Sequence, residues 1–393
     1  MTGCNSRSNH RTFSYRLRPL FAPVLALIFT LALAACNGGS QNGAGSVTPT
    51  ITPTGIPTSS PSGTPTSELS ARLTNEINRY IAEHETPANA GVSLLVVKDG
   101  EVAYHNNIGF ADNAASISVN RHTGFRLASV SKPFTAIAIM QLVEQGEIHL
   151  NDSILIYLPE LDDSWQPITL KMLLIHTSGI YDLLNDIWSR SRLEDLTNAG
   201  ALEYFISNPA LKFTPGSQTS YSNSGYNFLA LIIERVTGYS FSDYMRLYLF
   251  QPAGMADSYI TDKHQPMRLG DALNFATSSS QYGINTYLTG NMAQVSSSDD
   301  FIHFFRALRE NLLISNITLA NMTYPRTELF GGGYGYGFML TETSYGHAGL
   351  WDGYRTEMTI VPDKNLEFVV LTSGGSATQH FTNGIKAIVN RLY

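Results

Sequence analysis

The chain has 393 residues, 43% of them hydrophobic and 15% charged, with a formal net charge of −7. That much apolar residue excludes a wholly disordered chain, and the length fits one large domain or two or three ordinary ones. The negative balance, with only 7 Lys, excludes the electrostatic footprint of a nucleic-acid binder.

Charge is distributed unevenly. All 32 acidic residues lie beyond residue 67, whereas the first 67 residues carry only Arg7, Arg11, Arg16 and Arg18. An apolar run from Leu20 to Ala35 follows these arginines. It is short for a transmembrane helix, which needs about 20 residues, but fits the apolar segment of a signal peptide. The run closes on Leu33-Ala34-Ala35-Cys36. Small residues before a cleavage point, then cysteine, resemble the lipobox of bacterial lipoproteins, which implies lipidation of Cys36. A plain signal peptide with an incidental cysteine is the alternative. The expected location is extracytoplasmic, with the protein lipid-anchored to a bacterial membrane. Cys4 and Cys36 are the only cysteines, too few for a disulfide framework or a cysteine metal site.

Residues 36–67 are rich in Gly, Ser, Thr and Pro and predict a disordered, partly extended tether. The folded part is expected over 68–393. Leu69, Leu73, Ile77 and Ile81 recur every four residues, predicting a helix over 69–82. Residues 92–104 predict a β-hairpin turning at Lys98-Asp99-Gly100. Helical patterns broken by Pro and Gly dominate from about Lys132 to Leu249, and another helix is expected over 299–312. Strands return at Gly335–Leu340, Arg355–Val361 and Leu366–Thr372, before a last helix over 382–392. The order predicts an α+β fold: one antiparallel sheet, made by both ends of the domain, enclosing a mainly helical insertion at about 130–290.

Common site motifs are absent. There is no G-x-S-x-G, H-E-x-x-H, Walker A or G-x-G-x-x-G, and no two histidines lie within metal-ligand spacing. The run Gly331-Gly332-Gly333-Tyr334-Gly335-Tyr336-Gly337 reads as a glycine-rich entry to a strand. Neither a cofactor nor a metal is expected.

One motif carries chemistry. Ser129-Val130-Ser131-Lys132 is the only S-x-x-K. Residues three apart share a helix face, so the Lys132 nitrogen lies beside the Ser129 hydroxyl. Pro133 and the helical run Phe134–Val143 predict Ser129 at a helix N-terminus, where negative charge on oxygen is favoured. This is the setting of an activated serine nucleophile.

Tyr221-Ser222-Asn223 and His347-Ala348-Gly349 follow in order. With them, the chain resembles the serine β-lactamase and penicillin-binding superfamily, in the branch of class C β-lactamases, D-alanyl-D-alanine carboxypeptidases and esterases. Leu173-Leu174-Ile175-His176-Thr177-Ser178-Gly179 and the segments around Phe213-Thr214-Pro215-Gly216 and Pro252-Ala253-Gly254-Met255 extend the resemblance to essentially all of 70–393. Two decoys share the short patterns: Tyr104-His105-Asn106 and His122-Thr123-Gly124, both before Ser129.

The resemblance implies roles. Ser129 forms an acyl-enzyme, and Lys132 holds positive potential and shares the proton. Tyr221 serves as general base, its pKa lowered by Lys132. Asn223 orients Lys132 and the substrate amide. His347, where many relatives have Lys, binds or polarises the acyl end beside Gly349. Backbone N–H groups of Ser129 and Leu350 form the oxyanion hole. His176, Ser178 and Ser131 are expected to support the site. The bulky Leu350-Trp351 pair after Gly349 departs from the family pattern, either packing or narrowing the cleft. The main expectation is a serine hydrolase acting on an ester, amide or D-amino peptide, with a small-molecule or peptide substrate. The alternative is a catalytically silent envelope lipoprotein with a binding role.

Overall fold

A computed structural model of the chain describes residues 65–84, 90–112, 114, 116–187, 195–273, 287–351 and 353–393. The leader, Cys36 and the tether as far as residue 64 lie outside the described residues; residues 65–67, expected to end the tether, instead open the first helix, Pro65–Glu83.

The strands in chain order are β1 (Val92–Lys98), β2 (Glu101–Ile108), β3 (Phe110–Asp112), β4 (Ile117–Ser118), β5 (Phe125–Arg126), β6 (Tyr259–Ile260), β7 (Gln294–Ser296), β8 (Thr327–Leu329), β9 (Gly332–Tyr334), β10 (Met339–Leu340), β11 (Tyr345–Trp351), β12 (Tyr354–Val361) and β13 (Leu366–Thr372). Eight of them form one sheet in the order β2-β1-β13-β12-β11-β10-β9-β8. Every pairing in it is antiparallel. The N-terminal hairpin joins the C-terminal strands through β1 and β13, in the register Val92↔Thr372 to Lys98↔Leu366. The α+β architecture expected from the chain order is therefore present. The segment between the two halves of the sheet holds helices and the small sheet β5-β7-β6.

Strand alternation sends side chains to two cores. Val92, Leu94 and Val96 pack with Phe368 and Val370 against the terminal helices Pro65–Glu83 and Gln379–Leu392. Leu95 and Val97 point the other way, with Met358, Ile360, Val369 and Leu371, into the larger core of the helical part. Helix Ser131–Glu144 runs through this larger core and is buried from Ser131 to Leu142. Its apolar sequence, Phe134-Thr135-Ala136-Ile137-Ala138-Ile139-Met140, offers no polar face and suits a helix surrounded on every side.

One local expectation changes in part. Of the strand expected over Gly335–Leu340, only Met339–Leu340 is extended, as β10; residues 335–338 form a turn between β9 and β10, where Gly335 N–H donates to the Phe338 carbonyl at 2.9 Å and Gly337 has φ +81°. A Cβ on Gly337 would meet Ala136 and the Lys132 carbonyl, so the turn sits directly on the central helix. Ser129 stands at the N-terminal end of that helix, as expected, in a 3-10 turn, Ala128–Val130, just ahead of it. Ala128 carries φ +48°, an uncommon value for a residue with a side chain.

Candidate active site

The turn bearing Ser129 is held from three sides. Leu127 N–H donates to the Gln294 carbonyl at 2.8 Å, Thr356 Oγ1 donates to the Leu127 carbonyl at 2.6 Å, and Gln294 N–H reaches Ser131 Oγ at 3.3 Å. Ser131 is thus a supporting residue. Gly349 on β11 closes against the same turn: a Cβ there would strike the Leu127 carbonyl and Thr356 Oγ1. Only glycine lets the strand approach Ser129 this closely.

Around Ser129 the three sequence motifs converge. Lys132 Nζ lies 3.0 Å from Ser129 Oγ, 2.7 Å from Asn223 Oδ1 and 3.2 Å from the Asn291 carbonyl. The Tyr221 hydroxyl donates to Ser129 Oγ at 2.9 Å, and Nζ stands 4.8 Å from the Tyr221 ring centroid. Ser129 and Tyr221 stay partly exposed while Lys132 is fully buried.

That burial sets the chemistry. Loss of water around Lys132 pulls its pKa down to about 7, with the Asp182 carboxylate opposing the fall. A large fraction of Lys132 is therefore neutral amine at neutral pH, a base within reach of the Ser129 proton. Tyr221 behaves contrary to expectation. Burial raises its pKa, outweighing the hydrogen bond to Ser129 that lowers it. The neighbouring Lys132 does not make it a phenolate, and Tyr221 rests as a neutral, proton-bearing phenol.

Asn223 opens the helix Asn223–Thr237. Its Oδ1 faces Lys132 and its Nδ2 donates to Asp182 Oδ2 at 2.8 Å. Asp182 also accepts from Asn223 N–H at 3.2 Å, Asn185 Nδ2 at 2.7 Å and Leu184 N–H at 2.9 Å. This buried carboxylate fixes which way the Asn223 amide points. Sequence reasoning missed it, although Asp182 stands three residues after the quoted Gly179. An acidic residue in an otherwise apolar stretch, Ile180-Tyr181-Asp182-Leu183-Leu184, was the available signal.

His176 is a supporting residue. Its carbonyl accepts from Ser220 N–H at 2.9 Å and its Nδ1 from Ser222 N–H at 3.1 Å, so it grips the chain on both sides of Tyr221. Its rare φ of +62° is held by these contacts. Ser178 Oγ likewise accepts from Ile180 N–H at 3.3 Å.

His347 differs from the role the resemblance implies. It is buried, its Nδ1 is 2.7 Å from the Ala348 carbonyl and its Nε2 is 3.1 Å from the Tyr334 hydroxyl. Burial, with Lys132 nearby, holds its pKa at about 3. A neutral ring with Nδ1 donating to Ala348 has Nε2 left to accept from Tyr334, so both nitrogens are engaged within the protein. His347 braces β11 on the Ser129 side through these two bonds rather than offering a cation to the acyl end.

The register of β11 settles the Leu350-Trp351 pair. His347, Gly349 and Trp351 stand opposite Met358, Thr356 and Tyr354, on the face toward Ser129. Ala348 and Leu350 stand opposite Glu357 and Arg355 on the other face, where Glu357 pairs with Lys386 of the C-terminal helix. The half-exposed Leu350 side chain therefore turns away from Ser129, and Trp351 is the bulky residue on the Ser129 side. Beyond Gly346 the outer edge of β11 has no strand partner among the described residues.

Both decoys lie elsewhere. The Tyr104 hydroxyl donates to Asn78 Oδ1 on the N-terminal helix at 2.8 Å. His122 is exposed, beside Asp257. No group of three or more His, Cys, Asp or Glu able to hold a metal ion occurs among the described residues.

A Ser–Lys–Tyr–Asn cluster between a buried helix and a strand carrying H-x-G agrees with an independent observation: the family model described as Beta-lactamase matches residues 77–391. The chain belongs to the Beta-lactamase family. This is a family of serine hydrolases with a shared transpeptidase-like fold. Among curated proteins the chain is 28% identical to "Penicillin-binding protein 4*" of Bacillus subtilis, over 77% of this chain and 72% of that protein. It is 26% identical to "Protein flp" of Staphylococcus aureus, over 77% of this chain and 64% of that protein. The fold is similar to that of the octameric penicillin-binding protein homologue from Pyrococcus abyssi, with a TM-score of 0.70 at 24% identity, covering 82% of this chain and 77% of that one. D-amino acid amidase from Ochrobactrum anthropi SV3, complexed with L-phenylalanine, is equally similar, with a TM-score of 0.70 at 23% identity, covering 82% and 97%.

Proposed function

We propose that the protein is an envelope lipoprotein, anchored through Cys36, that hydrolyses an ester, amide or D-amino peptide through an acyl-enzyme on Ser129. The observation that carries this reading is the fully buried Lys132, its pKa lowered to about 7 and its nitrogen 3.0 Å from Ser129 Oγ. A silent binding protein has no need of a desolvated lysine beside an open serine, and desolvating an amine costs stability.

In the proposed reaction the neutral Lys132 amine takes the Ser129 proton as Oγ bonds to the substrate carbonyl carbon. The oxyanion that forms is received by the backbone N–H groups of Ser129 and Leu350. Collapse breaks the bond to the leaving group. Tyr221, a neutral phenol, gives that group its proton and regains one from the Lys132 ammonium. Water then attacks the acyl-enzyme, with the same groups acting in reverse. The uncharged His347 supports an ester or neutral amide over a substrate whose acyl carboxylate needs a cation at that place. The leader ending Leu33-Ala34-Ala35-Cys36 supports the membrane anchor and an extracytoplasmic location.

The test is covalent. The purified protein is exposed to a fluorophosphonate and to a fluorescent penicillin, and intact mass is measured. An adduct that Ser129→Ala abolishes is expected; no adduct with either reagent overturns the hydrolase reading.

A further inference from the structure

Strands β8 and β9 are joined by a two-residue loop. Leu329 pairs with Gly332, leaving Phe330 and Gly331 between them. Both have positive φ, +54° at Phe330 and +79° at Gly331. Such a loop, with both residues left-handed, takes Asn, Asp or Gly at its first position, because a bulky side chain strains the backbone there. Phenylalanine is among the least suited residues. Burial does not compensate it: Phe330 is 68% exposed.

The hairpin around it is fixed. Thr327 Oγ1 donates to the Ile175 carbonyl at 3.3 Å, and Arg326 N–H to the Tyr334 carbonyl at 3.0 Å. Tyr334 is fully buried, edge-on to His176 with ring centroids 4.8 Å apart. The root is locked into the aromatic cluster beneath the site, and the tip projects. The Phe330 ring lies 5.3 Å from the Tyr221 ring, at 60°. The Tyr221 hydroxyl in turn touches Ser129 Oγ. A single phenol separates Phe330 from the nucleophile.

A strained, exposed aromatic side chain fails as a packing element. It makes physical sense where its apolar surface is covered by a ligand. We infer that Phe330 and the open part of Tyr221 form an apolar subsite of this active site, which takes the aliphatic or aromatic portion of the acyl group next to the scissile carbonyl. The inference rests on the hydrolase reading above, and it adds the substrate class: acyl donors with an extended apolar group. Backbone conformation separates this role from a structural one. Asparagine is at ease in the left-handed region, so Phe330→Asn relieves strain while removing the apolar surface.

The experiment measures kcat/KM on the full chain for p-nitrophenyl acetate, butyrate and hexanoate. Each methylene covered on binding is worth roughly fourfold. Wild type should prefer butyrate to acetate by roughly fifteenfold. Phe330→Ala and Phe330→Asn should each cut that preference at least about threefold. Phe330→Asn should hold or raise the Tm. Turnover with an unchanged chain-length preference in both variants overturns the subsite and leaves the hydrolase reading standing. A lowered Tm in Phe330→Asn with equal losses on all three esters makes Phe330 a structural prop and also overturns it. No turnover and no fluorophosphonate adduct in wild type overturns both readings.

Discussion

Lys132 and Asp182 are joined through one side-chain amide. Asn223 Oδ1 faces Lys132 Nζ at 2.7 Å, and Asn223 Nδ2 donates to Asp182 at 2.8 Å. The amide cannot rotate without breaking both contacts, so a buried carboxylate orients a buried amine it does not touch. Asp182 is thus a positioning residue, and its charge also opposes the fall in the Lys132 pKa.

The pH profile follows from this pair. If neutral Lys132 is the base, kcat/KM for an activated ester should rise with pH along a limb centred at about 7. Asp182→Asn removes the charge that favours the ammonium, so the limb should move to lower pH while kcat falls roughly tenfold through the loosened amide. A lower rate with an unmoved limb would assign Asp182 to folding alone.

Proton transfer should depend on both partners of Ser129. Lys132→Ala and Tyr221→Phe should each lower kcat by at least roughly 10² with the fold retained by circular dichroism. Losses confined to KM would make them binding residues. Tyr104→Phe should leave kcat nearly unchanged and cost about 1 kcal/mol of stability for its lost bond to Asn78.

Trp351 shares the face of β11 that carries Gly349 toward Ser129, so it is the residue placed to crowd a fused bicyclic substrate. Wild type should turn over a short p-nitrophenyl ester far faster than a chromogenic cephalosporin. Trp351→Gly should shrink that ratio by roughly tenfold, and Leu350→Gly, whose side chain faces the C-terminal helix, by less. Equal wild-type efficiency on the two substrates would remove the steric argument.

The anchor is tested in growing cells. A clickable fatty acid should label the wild-type protein and not Cys36→Ala, and the wild type should fractionate with membranes. Equal labelling of both would leave Cys36 an incidental residue after a plain signal peptide.

What the sequence determined by itself was local and periodic. Four-residue spacing marked the helix now seen at Pro65–Glu83, and the Asp-Gly turn fixed the β1–β2 hairpin. The three-residue spacing of Ser129 and Lys132 brought their side chains together, because backbone geometry alone decides which neighbours meet. Motif order picked Tyr221 over Tyr104 and His347 over His122. The tertiary structure decided everything that depends on what packs around a group. Burial lowered the Lys132 pKa, kept Tyr221 protonated and His347 neutral, since the desolvation that shifts a pKa comes from residues distant in the chain. Register with β12 decided that Trp351 and not Leu350 faces Ser129, and a hairpin about a hundred residues beyond Tyr221 set Phe330 against its ring. Asp182 was legible only as an acid in an apolar stretch; its bond to Asn223, across 41 positions of sequence, exists only in the folded chain.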